Sequence, residues 1–397
     1  LEDDYSKNIG KQFQVLRPKT QLSNMALGYT FLSTERPFFE REAHVHAVDT
    51  EVAFASGLVA RAQVIRSEVQ KPEERKVDDG GWLTIDYNIS AATQHTFEYF
   101  NYGAQFDISD MGFIKRSNVV QYGYLGRFVQ SHIFDIQAIN EVEWTLKAYE
   151  RANQQNDSLP TLVSLRVSTL LENADKYVLQ LLQETEGVDD LISRGNGNWE
   201  RPSRSNLLFE YNAARRGDIA WELGAERGEE GLEDTYQTYF GVLKMYFGDN
   251  FTWEMELSYQ DSPDWLIWLK DIEFARYAHS NEYVLALQAD WFATESQEVR
   301  VKFQWLTIDA RDGSLYHLAD SMMMAQHEAA DDLHIDNMGF QLRYRYKLGA
   351  LSDIFAVYSR GGYLQSDVSN EDPWQSLQDA LDLRNADQIL FKVRLQF

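Results

Sequence analysis

An alternation of apolar and polar residues with a period of two constrains this chain more than any other feature of its sequence. From Phe251 to Tyr259 every second residue is apolar, and the residues between them, which include Glu254 and Glu256, are all polar. Successive side chains of a β-strand point to opposite faces of the sheet. The segment therefore predicts a strand with one apolar and one polar face.

The same alternation recurs through most of the chain and is clearest near its C-terminus. It covers 134–148 and returns more sharply in 299–305, 338–347 and 388–397. Counting the clear and the weaker segments together, we predict about 18 strands, within a range of roughly 16 to 20. Nowhere does the sequence contain an uncharged apolar run of roughly 18 residues or more, the length that a transmembrane helix requires.

Two architectures could use such strands, a soluble sandwich or propeller and a transmembrane β-barrel. Many segments are about ten residues long or longer, which suits tilted strands that cross a bilayer of about 30 Å better than the shorter strands of soluble sheets. Tyr259, Trp291 and Trp305 lie near the ends of apolar rows, as expected for interfacial aromatic girdles. We predict an all-β, transmembrane, up-and-down antiparallel β-barrel over residues 20–397, preceded by an N-terminal periplasmic segment, 1–19.

The lengths of the predicted connections alternate in the last part of the chain. Barrels of this class have short periplasmic turns and long extracellular loops. With the C-terminus at the periplasmic rim, the short links 295–298 and 349–352 are predicted to be periplasmic, and 310–336 and 366–387 to be extracellular loops. Apolar residues at helical spacing within 373–383 predict a short helix that either folds over the mouth of the barrel or lies on its surface.

Composition excludes several classes of function. The chain has 62 acidic and 37 basic residues, a formal charge of −25, so nucleic acid is not an expected partner. It has no cysteine, which excludes disulfides and thiolate metal sites. His44 and His46 share one strand face, but an isolated His-x-His pair does not define a metal site. No phosphate-binding loop, zinc-protease helix or nucleophile elbow is present, so we predict no enzyme activity, cofactor or metal.

In a barrel, the polar strand faces line the lumen, so their charges define what the interior attracts. The last strands are basic and the middle strands acidic, which predicts walls of opposite charge that select solutes by charge and dipole. The alternative is that these charges pair with one another and fill the lumen. The predicted lumen residues are Arg300, Lys302, Arg343, Arg345, Lys392 and Arg394 on the basic side, and Glu141, Glu143, Glu254 and Glu256 on the acidic side.

The last residue, Phe397, ends an alternating strand. An aromatic residue in this position resembles the terminal assembly signal of Gram-negative outer-membrane barrels. The resemblance implies that the barrel-assembly machinery is a partner, that the chain resides in the outer membrane of a Gram-negative bacterium, and that it contacts the lipid bilayer and lipopolysaccharide.

Two further segments carry a resemblance to a family. The sequence GFIKR at 112–116, and RYRY at 343–346 followed by SDIFAVYSRG at 352–361, resemble a family of outer-membrane proteins of unknown function. In that family, a barrel follows an N-terminal domain similar to family-nine carbohydrate-binding modules. Such a module would need well over a hundred residues ahead of Tyr5, so only the barrel part is expected here, with a periplasmic sugar-binding domain or another partner protein as its associate.

Two functions are open at this point. The first is a porin-like channel for small or sugar-like solutes across the outer membrane. The second is a membrane-embedded scaffold whose lumen or periplasmic rim holds another polypeptide or domain. The solute and the state of the lumen, open or filled, are not defined by the sequence.

Overall fold

The alternating segments form strands along almost the whole chain. In the residues that it describes, the computed structural model contains 24 β-strands, one α-helix and one 3-10 turn, Pro37–Phe39. The predicted assembly signal, Phe397, falls outside this set, as do residues 1–9. The described residues are 10–131, 136, 138–232, 234–369 and 372–396.

The first twelve strands are β1 (Gln12–Leu16), β2 (Lys19–Leu22), β3 (Met25–Arg36), β4 (Arg41–Ala55), β5 (Leu58–Lys71), β6 (Glu74–Ser90), β7 (Thr93–Tyr102), β8 (Val119–Ser131), β9 (Ile139–Ala152), β10 (Ser158–Leu171), β11 (Lys176–Glu184) and β12 (Gly187–Asp189). The others are β13 (Trp199–Arg201), β14 (Arg204–Arg216), β15 (Ile219–Glu230), β16 (Asp234–Phe247), β17 (Phe251–Ser262), β18 (Trp265–Lys270), β19 (Glu273–Thr294), β20 (Gln297–Ala319), β21 (Met322–Ala330), β22 (Leu333–Gly349), β23 (Ser352–Ser366) and β24 (Ala386–Arg394). The helix, α1, is Pro373–Asp382.

The chain divides into two compact units. The first consists of 1–130, 143–166 and 183–188, and the second of 131–142, 167–182 and 189–397. In the first unit, strands β3 to β8 pair antiparallel in sequence order. In the second, β14 to β17 do the same, and the ladder continues through β19, β20, β22, β23 and β24. The prediction of an all-β, up-and-down antiparallel fold is confirmed.

The predicted number of strands, about 18, is wrong, because the described residues contain 24. At three places the chain interrupts a strand, so that two consecutive strands pair with the same neighbour: β1 and β2 pair with β3, β17 and β18 with β19, and β21 and β22 with β20. Pro18 and Pro263 lie in two of these interruptions. Proline has no N–H to donate to a sheet and therefore ends a strand. The short strands β12 and β13 form a separate pair.

The prediction of a loop over 310–336 is also wrong. Strand β20 continues to Ala319, turns through Asp320 and Ser321, and returns as β21. Both turn residues have positive φ, 49° and 63°, as in the tight two-residue hairpins that fit the twist of paired strands. The polar residues of this segment had suggested a loop, but they lie in a sheet that extends beyond the predicted membrane strands.

The other predicted features of this region are present. The links at 295–298 and 349–352 are tight turns between β19 and β20 and between β22 and β23, although their periplasmic location stays a prediction. Helix α1 forms where helical spacing was found, and the Asp372 carboxylate caps it by accepting hydrogen bonds from the N–H groups of Trp374 and Gln375. Among the described residues, no helix has both the length and the apolar character needed to cross a membrane.

The second unit has two chemically distinct sheet faces. Leu257, Leu285 and Trp305 are aligned across β17, β19 and β20 on what we call the apolar face. Glu254 and Lys302, one on either side of Gln288 in the same three strands, lie on the polar face. The separation that the sequence predicts is therefore maintained from strand to strand, because the antiparallel register aligns residues of the same parity.

Helix α1 packs on the apolar face. Its buried Ala380 contacts Trp305 and Met338, and the partly buried Leu377 packs against the same cluster. Of the two predicted positions for this helix, over the mouth or on a surface, the structure therefore places it on the apolar surface of β20 and β22. At this level of the sheet, protein covers side chains that the sequence pattern assigned to lipid.

Closure of the sheet into a barrel is not seen among the described residues. Strand β24 pairs with β23 along one edge, and each of its nine residues is exposed. The barrel itself therefore remains part of the proposal below. The boundary between a periplasmic segment, 1–19, and the barrel also stays a prediction. Strand β1 lies within that segment and already pairs with β3 of the sheet.

Two glycines with positive φ provide a test of how tightly the hairpins are packed. A Cβ at Gly231 (φ +52°) would lie 1.8 Å from the backbone oxygen of Asp264, whereas a Cβ at Gly217 (φ +62°) would have no atom within 4 Å. We expect G217A to cost about 1 kcal/mol for the left-handed backbone. G231A should cost about 3 kcal/mol or more, because the clash adds to this strain. Urea unfolding of the refolded variants, followed by tryptophan fluorescence, measures both, and equal losses would contradict the packing described.

Candidate functional site

The candidate site is the polar face of the second unit close to the turns at 295–296 and 350–351. The register places Arg300 opposite Arg343 on neighbouring strands, and Phe355 lies between Arg345 and Lys392 on the next ones. Predicted lumen residues from three strands are thus brought to one part of one face. Like charges so close together require acidic partners.

Glu298 supplies the first acidic partner. Its side chain is only 11% exposed, and its carboxylate lies 3.3 Å from Arg300, 3.4 Å from Arg343 and 3.6 Å from Arg345. Arg300 also forms an ion pair with Asp290 of β19. One buried carboxylate therefore contacts the ends of three arginines that come from two strands.

Asp353 supplies the second. This carboxylate is 1% exposed and lies 2.8 Å from Arg345 and 2.6 Å from Arg394. Through Arg345 it is joined to Glu298, so ion pairs run without a break from Asp290 on β19 to Arg394 on β24. We call this set of four arginines and three carboxylates the arginine network. Charge-assisted hydrogen bonds of this kind fix both position and orientation.

Some of the other predicted lumen residues form ion pairs and some do not. Lys244 of β16 pairs with Glu254 at 2.9 Å, and Arg127 with Glu143 at 2.6 Å. In the described part of the chain, no ion pair is recorded for Lys302, Lys392, Glu256 or Glu141. Acidic side chains are therefore interspersed among the basic ones on this face of the second unit, and the opposite-charge walls of a lumen stay a prediction.

Three members of the arginine network, Asp290, Glu298 and Asp353, were not identified from the sequence. Glu298 and Asp290 have the same parity as Arg300, which is a detectable signal for a shared face. Asp353 follows a turn and was seen only as part of a family-like motif. Which base each acid meets depends on the strand register, and the alternation pattern alone does not provide it.

The first unit has a polar face of its own, which a loop partly covers. Arg61 on this face pairs with Glu51 at 2.8 Å and with Asp86. The connection between β7 and β8, residues 103–118, folds against β4 and β5, where its buried Phe106 packs with Val45 and Ile65.

Charged contacts fasten this loop. Arg41 reaches Asp110 at 2.7 Å and Asp107 at 3.0 Å. Burial would raise the pKa of Asp107, but hydrogen bonds from Ser109 and from Arg41 outweigh it and hold the pKa of this carboxyl below its ordinary value. The loop therefore keeps an ionised anchor at neutral pH.

The histidine pair of β4 is occupied by contacts with neighbouring side chains. His46 Nδ1 lies 2.8 Å from the Tyr29 hydroxyl, His44 Nε2 lies 3.0 Å from Glu42, and both rings lie against Phe31. Across the described ranges, no group of three histidine, cysteine or acidic side chains is arranged to hold a metal ion.

No known family model matches this chain, and no curated protein matches it either. The resemblance to barrels that follow a carbohydrate-binding module is therefore not supported by a matched family. Solved structures with a similar arrangement of strands do exist, and those described next are named as transporters or receptors.

The copper transporter OprC has a TM-score of 0.42 and 10% identity over 89% of this chain, which spans 61% of the length of OprC. The siderophore receptor PirA from Acinetobacter baumannii has a TM-score of 0.45 and 8% identity, with 94% of this chain and 74% of PirA covered. The FrpB iron transporter from Neisseria meningitidis has a TM-score of 0.40 and 9% identity, with 89% and 61% covered. All three likenesses are remote.

The arginine network predicts unequal effects of removing single charges. D353N should lower the urea midpoint, because Arg345 and Arg394 both lose their carboxylate partner at a buried position. K302Q on the same face should leave the midpoint unchanged, because Lys302 has no recorded ion pair in the described residues. Unfolding of both variants in detergent micelles, followed by tryptophan fluorescence, distinguishes them. Identical midpoints would show that the network does not stabilise the sheet.

Proposed function

We propose that this chain is a β-barrel of the outer membrane of a Gram-negative bacterium, through which small polar, including sugar-like, solutes pass. The observation that carries the proposal is the division of the sheet of the second unit into an apolar face and a charged face. A soluble sheet protein buries its apolar faces against each other. Here the large apolar side chains are exposed instead.

The exposure is extensive. Leu257 is 48% exposed, Trp291 47% and Phe391 73%. Contiguous apolar surface of this kind is rare on soluble monomers and marks an interface with membrane or protein. Acyl chains would cover this face but offer no hydrogen bonds to the backbone. Closure of the sheet would then be required, because it leaves no unpaired strand edge.

The polar face supports a water-filled interior. Its ion pairs and exposed lysines need water or partners, and in a closed barrel this face lines the lumen. Within the arginine network, four arginines meet three carboxylates, and the unpaired Lys302 and Lys392 increase the positive charge. We infer that this wall attracts anionic groups and that amide side chains such as Gln341 offer hydrogen bonds to hydroxyl-bearing solutes.

A second function is favoured by a separate observation. Loop 103–118 covers part of the polar face of the first unit, and every arginine of the arginine network already has a carboxylate partner within the protein. A lumen filled in this way suits a scaffold that holds another polypeptide, such as a periplasmic sugar-binding domain. The two functions differ in whether ions cross the protein.

Conductance in planar bilayers tests the channel. We expect stable openings from the purified chain, and K302E with K392E should reduce the anion-to-cation permeability ratio by about twofold or more, because exposed charges on the lumen wall set the local ion concentration. Lys71, the last residue of β5, provides a matched control, and K71E should leave the ratio unchanged. Well-folded protein that never conducts would reject the channel and favour the scaffold.

Two neighbouring residues test which face touches lipid. L257R places a charge on the apolar face and should destabilise the folded protein in a bilayer by roughly 2–4 kcal/mol. E256R, one residue away on the polar face, should be tolerated, because its side chain points to water. Refolding into phospholipid vesicles across a urea series measures both. Equal tolerance of the two variants would mean that the apolar face does not contact acyl chains.

A further inference from the structure

A cavity lies at the end of the second unit that is remote from the turns at 295–296 and 350–351. It has a volume of about 610 Å³, within the range of sites for small organic molecules. Its apolar wall is formed by Ile267, Leu269 and Leu315 on the apolar face of β18 and β20. The cavity is separate from the arginine network, which lies on the opposite face of the sheet.

The rim of this cavity is acidic. Asp331 and Asp332 lie in the interruption between β21 and β22, and Asp367 follows the end of β23. No ion pair is recorded for these three carboxylates in the described part of the chain, in contrast with the carboxylates of the arginine network. The lining contains no lysine, arginine or histidine. The cavity therefore combines an apolar wall with uncompensated negative charge.

Tyr277 holds one part of the acidic rim in place. The residue is 3% exposed, and its hydroxyl donates a hydrogen bond to the backbone oxygen of Asp331 at 3.0 Å. The bond fixes the segment that carries Asp331 and Asp332 beside the apolar wall. The negative charge of the rim is therefore held at a defined place next to apolar surface, an arrangement that attracts organic cations.

We propose that this cavity binds a small organic cation with an apolar part, of the quaternary ammonium class. The apolar wall receives the carbon groups, and Asp331, Asp332 and Asp367 attract the cationic head. A bare metal ion fits poorly, because among the described residues no three histidine, cysteine or acidic side chains are arranged to hold one. An anionic lipid headgroup would be repelled by the rim. This site is independent of any passage of solutes through the lumen.

Benzyltrimethylammonium is a suitable probe, and benzyl alcohol is its neutral counterpart. With the full chain in micelles of an uncharged detergent, titration calorimetry should show the cation binding about tenfold or more tightly than the alcohol. The affinity for the cation should fall as sodium chloride is raised, since the rim charges are exposed to solvent. Equal binding of the two probes would overturn the proposal.

Two variants locate the binding to this cavity. The double variant D331N/D332N should lower the affinity for the cation by about tenfold, because two negative charges are removed from the rim. The control D249N, in the turn between β16 and β17, should leave the affinity unchanged. A329W should block binding by filling the space without changing charge. Binding that survives in both cavity variants would place the cation elsewhere and reject the site. Far-ultraviolet circular dichroism confirms that each variant keeps its strands.

Discussion

The structure depends on keeping two kinds of side chain on opposite sides of one hydrogen-bonded sheet. Glu256 and Leu257 are adjacent in sequence, yet one belongs to the charged surface and the other to the apolar surface. A shift of one residue in the pairing of β17 would exchange them, so that apolar groups met water and charges met hydrocarbon. Backbone pairing, side-chain chemistry and environment therefore all select the same register, which is the condition for a single folded state.

The arginine network reinforces this selection near the turns at 295–296 and 350–351, where it connects β20, β22, β23 and β24. Asp353 and Glu298 each contact arginines from two strands. These contacts form only when the strands are aligned in the observed register. A guanidinium accepts few alternative geometries when it binds a carboxylate. The arginine network would thus both align the strands of the polar face and stabilise their pairing.

Sequence alone predicts the strands, the polar and apolar faces, the tight turns and helix α1, because each depends on residues close together in the chain. It does not predict what depends on register or on distant contacts. The acidic partners of Arg300 and Arg345 are of this kind, as is the side of the sheet on which α1 lies. Part of the error in the number of strands has a local cause that is visible in the sequence, since Pro18 and Pro263 mark two of the interruptions. The hairpin of β20 and β21 could not be predicted, because its polar residues resemble a loop.

The position of α1 has a consequence for how deeply such a sheet could be immersed. The exposed Asp379 and Asp382 of this helix would not enter hydrocarbon, so on β20 the acyl chains of a membrane would end near Trp305. From Gln297 to Trp305, strand β20 covers about 27 Å at roughly 3.4 Å per residue, and a tilt of about 40° reduces this to a height of about 21 Å. That value is close to the thin hydrocarbon layer of a bacterial outer membrane. In a membrane, the helix would therefore limit the depth to which this part of the sheet is immersed.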